Sequence, residues 1–406
     1  MEGRLEMLQQ FTPVQYVKID IANNFGLDKL TWDQRLEWFE QNKHQLRALL
    51  PKAENMAQFY AGIEAWENMQ KGLPIGFTVS LDATSSGIQI LSVLTGDKSA
   101  AQISNVLDTG KRGNAYRTVY ERMTKKVGDE AKLPYAPVKS AVMTSYYGSE
   151  KVPREVFGEG PLLQAFHETM EELTPAAWEL NKALLERWDP EAEKYSWVMP
   201  DRFHVHIKVK DEIEEDITFM GTTHTIQRKV NRPTPEGRSL SANLVHSVDG
   251  FIVREIQRRC NYDRDQLRYV RQLLVEGPGA AAGEPSEKTE MLTKLWELYQ
   301  QSGYLSARII DFIDSTNVHL IDAEPVHQLI DSMPPKPFKV IPVHDCFRVH
   351  PNYGNDIRRQ YNLQLYLIAK SNMLEFMLRQ ILKLDGRIEK LDHFEQEILE
   401  ANYALS

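Results

Sequence analysis

Two short β-like runs constrain this chain more than any other feature, because its other apolar patterns are mostly helical. Gly76–Leu81 (GFTVSL) and Lys339–Val343 (KVIPV) are both strand-like, and each runs into an aspartate. The first meets Asp82 and the sequence DATSSGIQ, whose tail Ile88–Leu94 can open a helix. The second passes through His344 to Asp345, with apolar residues on both sides of that polar pair. A carboxylate between apolar flanks is costly to bury unless a cation or a hydrogen-bond donor meets it. Two readings stay open at this point. Both aspartates cap turns at strand ends, or two separated strands bring their acids together to hold divalent metal. Mg²⁺ suits the second reading, since it takes one or two carboxylates and leaves its other positions to water and phosphates. Two such ions can clamp the attacking and leaving oxygens of a phosphoryl transfer.

Between the two aspartates lies Lys139-Ser140-Ala141-Val142-Met143-Thr144-Ser145-Tyr146-Tyr147-Gly148-Ser149. On a continuous helix Lys139 and Tyr147 would be about 12 Å apart, at roughly 1.5 Å of rise per residue. That matches the reach from a nucleotide's phosphates to its sugar or base, with lysine at the charged end and the ring beside the ribose. The alternative is a surface lysine and a half-buried tyrosine on an ordinary helix. Elsewhere, 155–193 carries ten acids against Lys182 and Arg187, with apolar residues at helical spacing, and reads as amphipathic helices with an acidic outer face. Residues 225–260 invert the balance, with seven Lys or Arg against three acids. The segment 276–286 (EGPGAAAGEPS) reads as a linker, and helical periodicity resumes over 287–302 and 357–383.

Composition removes several classes. The 406 residues are 42% hydrophobic and 26% charged, a globular balance with material for a large core. A net charge of −9 argues against coating nucleic acid through bulk positive charge, while leaving room for a local basic cleft. Cys260 and Cys346 are the only cysteines, which excludes a disulfide framework and a cysteine zinc site. No apolar run approaches the ~18 residues of a membrane span. The expectation is a soluble, cytoplasmic enzyme.

Taken in order, three segments resemble the motifs of the phage-type single-subunit RNA polymerases. Asp82-Ala83-Thr84-Ser85-Ser86-Gly87-Ile88-Gln89 resembles motif A, Lys139 through Tyr147-Gly148-Ser149 is similar to motif B, and His344-Asp345 stands where motif C is expected. Gly26–Lys29 (GLDK), followed by Arg35, resembles the stretch upstream of motif A. Trp197–Val205 (WVMPDRFHV) looks like a family hairpin, and Ala242–Gly250 (ANLVHSVDG) resembles the segment leading from fingers to palm. Within the family the chain is most similar to the larger, catalytic subunit of split two-subunit enzymes of certain podoviruses. The resemblance implies that Asp82 and Asp345 bind two catalytic Mg²⁺ ions and that Lys139 stabilises the incoming triphosphate. It implies that Tyr147 lies beside the ribose with Gly87 and Gly148, that His246 assists near the sugar or template, and that Lys29 contacts phosphate. DNA polymerases of the related fold place a Glu five residues after the motif A aspartate, where Gly87 leaves room for a 2′-hydroxyl, and tend to follow the motif C His-Asp with Glu, where Cys346 stands.

The expected architecture is α/β (α+β), a right-hand palm with a small antiparallel sheet and mainly helical fingers, the thumb and N-terminal domain being absent. The boundaries read from the sequence are 1–110 for the first part of the palm, 111–246 for the fingers and 247–406 for the rest of the palm. An insertion of about 261–338 lengthens the last part. The family's Arg four residues before the motif B lysine is replaced by Tyr135, so Lys132 or another cation takes its role. No Asp-x-x-Gly-Arg motif precedes GLDK, and Gly237-Arg238 is in the wrong place to serve as one. The expected partners are DNA template, RNA product, ribonucleoside triphosphates and a second subunit carrying the missing region, with accessory DNA-opening factors and no membrane. The expected location is the cytoplasm of an infected bacterial cell. A DNA polymerase of the related fold, an inactive polymerase remnant and a two-carboxylate nuclease are the competing readings.

Overall fold

The computed structural model describes residues 8–128, 133–234, 239–277, 287–383 and 386–406. It is a mixed structure, mostly helical, with seven strands among those residues. These are Val79–Asp82 (β1), Lys194–Val198 (β2), His204–Lys208 (β3), Lys210–Phe219 (β4), Thr222–Asn231 (β5), Ile341–Val343 (β6) and Cys346–Val349 (β7). All pair antiparallel, in the order β1-β7-β6, with β2-β3 and β4-β5 as separate hairpins.

The three-stranded sheet gathers the two β-like runs of the sequence. β1 is shorter than Gly76–Leu81 and ends on Asp82 itself, because β7 offers partners only from Val349 opposite Val79 to Cys346 opposite Asp82. β6 and β7 form a tight hairpin in which Val343 faces Cys346, leaving His344 and Asp345 as the two-residue turn. On the other edge of β1, Ser406 N–H donates to the Asp82 carbonyl (2.9 Å) and Thr84 N–H donates to Ala404 (3.2 Å).

The segment after β1 plunges into the core. The Ser86–Thr95 helix is buried along almost its whole length. It packs against the Gly354–Lys370, Ser239–Cys260 and Pro175–Glu186 helices. Its end is closed by Gly96 at φ 72°, where a side chain would strike the Asp392 carbonyl. Gln89 is fully buried there and fully used. Its amide donates to Thr84 Oγ1, Ser104 O and Ala404 O, and its carbonyl accepts the Tyr361 hydroxyl at 2.7 Å. A buried amide satisfied on every side fixes register instead of costing stability. Upstream, Thr12–Gln15 and Thr31–Gln34 capping boxes start the helices Pro13–Ala22 and Trp32–Asn42. The turn at Gly26 (φ 111°) lies between these helices and is followed by Asp28 and Lys29.

The acidic stretch forms the helices Pro161–Leu173 and Pro175–Glu186, as the periodicity implies. The periodicity of 357–383 resolves into two helices, Gly354–Lys370 and Met373–Leu382, broken at Ser371-Asn372. WVMPDRFHV is the β2–β3 hairpin with its turn. The expectation of mainly helical structure up to 246 is modified by the two hairpins between 194 and 231. Within 261–338 the helices Arg264–Glu276, Glu287–Ser302 and Ala323–Asp331 enclose a second hydrophobic cluster around Val270, Leu292, Ile309 and Val326. The linker residues 278–286, together with Lys132 and Gly237-Arg238, lie outside the described residues.

One charge pattern needs correcting. Among the described residues the basic stretch 225–260 is not a free positive surface, because its cations there are met by acids. Arg228 pairs with Glu215 (2.9 Å), Lys229 with Glu212 (3.1 Å) and Arg232 with Asp211 (2.5 Å) across the exposed β4–β5 hairpin. Arg254 and Arg258 converge on the buried Asp201 at 2.6 and 2.8 Å, and Arg258 also reaches the buried Glu255. Glu255 in turn accepts from Ser306 and from the Ala307 N–H, which ties the second cluster to the Ser239–Cys260 helix.

Candidate active site

The ladder geometry brings the two aspartates to one end of the sheet. Asp82 closes β1 opposite Cys346, and Asp345 is the next residue out, its carbonyl accepting from Ala83 N–H at 3.2 Å. Residues separated by most of the chain thus become neighbours through a two-residue turn. That turn holds His344 at φ 55°, in the left-handed region that a non-glycine residue rarely occupies. Such a conformation costs about 1–3 kcal/mol and persists where the surrounding structure enforces it. Here β7 is clamped between β1 and β6.

A cleft of about 240 Å³ opens beside these acids, and Lys29, Asp82, Gly87, Lys139, Tyr147 and Asp345 all line it. Lys139 belongs to the Tyr135–Ser145 helix, which begins after Pro134 and points its lysine over the Tyr116 ring, 5.7 Å from the centroid. That helix stops two residues before Tyr147. Tyr147, Gly148 and Ser149 form the closing turn, with N–H bonds back to Thr144, Ser145 and Thr144. The simple helical distance between Lys139 and Tyr147 therefore does not apply. Gly148 has φ 79°, so its part is to make this turn, and it does not line the cleft.

Tyr147 is positioned from two sides. Its ring stacks on His246, centroids 4.9 Å apart and planes 13° from parallel. Against its other parts lies Gly87, where a Cβ would stand 3.0 Å from the Tyr147 hydroxyl and 3.1 Å from Cζ. Gly87 is therefore needed first by Tyr147, and room for a sugar follows from that packing. Burial pushes the Tyr147 phenol up to about 12, so it remains a hydrogen-bond donor at neutral pH. Lys29 is the most exposed of the cleft cations and is paired with its neighbour Asp28.

The electrostatics are dominated by uncompensated acid. Burial, and then the nearby Asp345, push Asp82 up to about 6, with Lys29 pulling the other way. Burial, and then Asp345, raise Asp249 to about 6 as well. Asp249 lies one helical turn beyond His246 on the Ser239–Cys260 helix. A site whose carboxylates resist ionising together is one that a divalent cation would relieve. Among the described residues no group of three or more His, Cys, Asp or Glu forms a closed metal cage. Two hard-oxygen donors on an open cleft fit Mg²⁺, which retains water and substrate oxygens.

Sequence reasoning missed Tyr116, Arg112 and Asp249. Asp249 carried a readable signal, its spacing of three residues from His246. Tyr116 looks like an ordinary core aromatic, and Arg112 sits in a loop, TGKRGN, with no pattern to mark it.

Comparison with known proteins gives a consistent answer. Residues 11–157 match the family model described as DNA-dependent RNA polymerase. A probable DNA-directed RNA polymerase of Gelasinospora sp. (strain G114) is 22% identical over 94% of this chain and 44% of its own length. A DNA-directed RNA polymerase of Pseudomonas phage phiKMV is 28% identical over 30% of this chain and 16% of its own. A probable DNA-directed RNA polymerase of Neurospora crassa is 31% identical over 28% of this chain and 13% of its own. The chain thus spans less than half the length of the curated relatives it matches.

Proposed function

We propose that this chain is a member of the phage-type single-subunit RNA polymerase family and that it carries the nucleotidyl-transfer centre of a DNA-directed RNA polymerase. The observation that carries the reading is the convergence of Asp82, Asp345, Lys139, Tyr147 and Gly87 on one cleft. A nuclease built on two carboxylates needs the acids alone and leaves Lys139, Tyr147 and the Tyr147–His246 stack without a purpose. A DNA polymerase of related fold is disfavoured by Gly87, because a carboxylate side chain there would collide with Tyr147.

In this reading the sheet end belongs to the palm and the Tyr135–Ser145 helix to the fingers. Asp82 and Asp345 would hold the two Mg²⁺ ions, which supply Lewis-acid stabilisation of the attacking 3′-oxygen and of the departing pyrophosphate. The remaining work falls to this chain's side chains. Lys139 neutralises charge on the triphosphate, its ammonium kept in place over Tyr116 without an acid partner among the described residues. The phenol of Tyr147, braced by His246, lies beside the sugar and favours a nucleotide that can exchange a hydrogen bond with it. Lys29, already paired with Asp28, makes at most a peripheral phosphate contact.

The template, RNA product and ribonucleoside triphosphates follow from the activity. The resemblance to the larger subunit of split enzymes supports a second polypeptide carrying the Asp-x-x-Gly-Arg region, with accessory factors opening duplex templates in an infected bacterial cell. No helix among the described residues is long and apolar enough to cross a membrane. Labelled ribonucleotide incorporation on a primed template, with and without a co-expressed companion subunit, tests both parts. Incorporation only with the companion supports the split form, and full activity of the chain alone sinks it. Absence of incorporation under both conditions sinks the polymerase reading.

A further inference from the structure

The cleft contains a cation that forms no ion pair among the described residues. Arg112 lines the catalytic cleft and also a polar cavity of about 580 Å³ next to it; both spaces include Asp82, Lys29 and Lys139. Its single hydrogen bond among the described residues is a long one, from Nε to the Ser406 hydroxyl at 3.4 Å. Asp28 and Asp82 act on it through space, yet neither forms an ion pair with it. Arg35, a second buried guanidinium, is close enough to repel it. A largely buried guanidinium left without a carboxylate is costly, and an anionic ligand entering the cleft removes that cost.

The loop holding Arg112 is rigidly built. Asn105, itself at φ 66°, clamps the residue after Arg112. Its carbonyl accepts Gly113 N–H at 2.6 Å, and its amide donates to Gly113 O and to Thr84 Oγ1, both at 3.0 Å. A side chain at Gly113 would press on the Ile103 carbonyl, so the close approach of the two segments there depends on glycine. Arg112 is thereby locked to the segment that immediately follows Asp82. A preorganised fork of this kind suits phosphate oxygens, which guanidinium binds in bidentate fashion. Arg117, five residues further on, is already engaged with Glu121 (2.9 Å) and with the Tyr135 ring (5.4 Å).

We propose that Arg112 binds the phosphate chain of the incoming nucleoside triphosphate, acting with Lys139 from the opposite element of the cleft. This rests on the polymerase reading. It assigns to a loop arginine the charge that Tyr135 cannot supply.

The test is equilibrium binding of ATP, ADP and adenosine to the preparation that incorporates ribonucleotides, comparing the wild type with Arg112→Gln and Arg112→Lys. Arg112→Gln should weaken ATP about ten- to hundredfold, ADP less and adenosine hardly at all, as expected for lost charge-assisted bonds. Arg112→Lys should fall between, and the KM for ribonucleotides should rise more than kcat falls. Unchanged ATP affinity in an Arg112→Gln enzyme whose wild type is active overturns the assignment and leaves the polymerase reading intact. Equal weakening of ATP and adenosine also overturns it, since that is the signature of a merely structural arginine. A wild type that neither incorporates nucleotides nor prefers ATP to adenosine overturns both.

Discussion

Buried acids gather at two places in this molecule, and they are treated in opposite ways. At the foot of the Ser239–Cys260 helix, Asp201 and Glu255 are fully buried, and Arg254 and Arg258 bond to them directly. Burial pushes the Asp201 carboxyl up, but the bonds and charges of Arg254 and Arg258 outweigh it and hold the group below its ordinary value. Midway along the same helix Asp249 joins Asp82 and Asp345, and no guanidinium pairs with any of them among the described residues. There the carboxyls of Asp82 and Asp249 are pushed up to about 6. The first cluster is closed and ties the 261–338 region to the hairpin turn at Asp201. The second is left short of positive charge beside an open cleft. Uncompensated charge held in a rigid frame is the mark of a site that awaits a ligand, whereas matched charge is architecture.

Substitutions can separate the two. Asp345→Asn should cut ribonucleotide incorporation by at least about a thousandfold while leaving the melting temperature equal or higher, because it removes a repulsion. Persistent incorporation would remove Asp345 from the site. Asp201→Asn should do the reverse in kind, costing roughly 3–5 kcal/mol of stability because Arg254 and Arg258 lose their buried partner. Denaturant titration reads this directly, and a loss below 1 kcal/mol would show the cluster to be ornamental.

The two clusters should also answer pH with opposite signs. Asp82 and Asp249 hold more protons folded than unfolded between about pH 4 and 6, so their effect is to raise stability as pH falls through that window. The contribution is on the order of 1–3 kcal/mol. Asp201 contributes stability that is present above its unfolded value and is lost as pH falls through its lower folded value. Unfolding curves from pH 7 down to 4 should therefore show a gain that shrinks in Asp345→Asn, since Asp345 is a cause of both raised values. An identical pH profile in that variant would refute the coupling.

A smaller effect concerns the sugar. Tyr147→Phe should relax the preference for ribonucleotides about tenfold, and Gly87→Ala should do so too by displacing the ring, whose hydroxyl sits 3.0 Å from the added carbon. Unchanged discrimination in both would exclude a sugar gate. The smallest effect is expected from Arg228→Ala on the exposed hairpin, within about 0.5 kcal/mol, because surface pairs contribute little.

Much of this was legible before the fold was known, and for identifiable reasons. Strand-like runs entering Asp82 and Asp345, the Lys139–Gly148 segment and the amphipathic periodicities are local patterns, and local patterns survive in a linear text. The strand ends were misjudged because they are set by pairing: β1 stops where Cys346 stops offering a partner. The count of cations in 225–260 did not reveal which of them are free, because it is blind to acids that arrive from Asp201, Glu212 and Glu215 in three dimensions.

By itself the sequence determined which groups are available for the proposed chemistry: two acids, a lysine, a tyrosine and the glycine that admits it. Only the tertiary structure decided which charges remain free to perform that chemistry. Asp249 came close to Asp82 and Asp345, Arg112 came to line the cleft, and Arg254 and Arg258 were paired with Asp201. Residue type fixes what a side chain can do, but charge compensation acts through space over a few ångströms, and those distances are set by the fold.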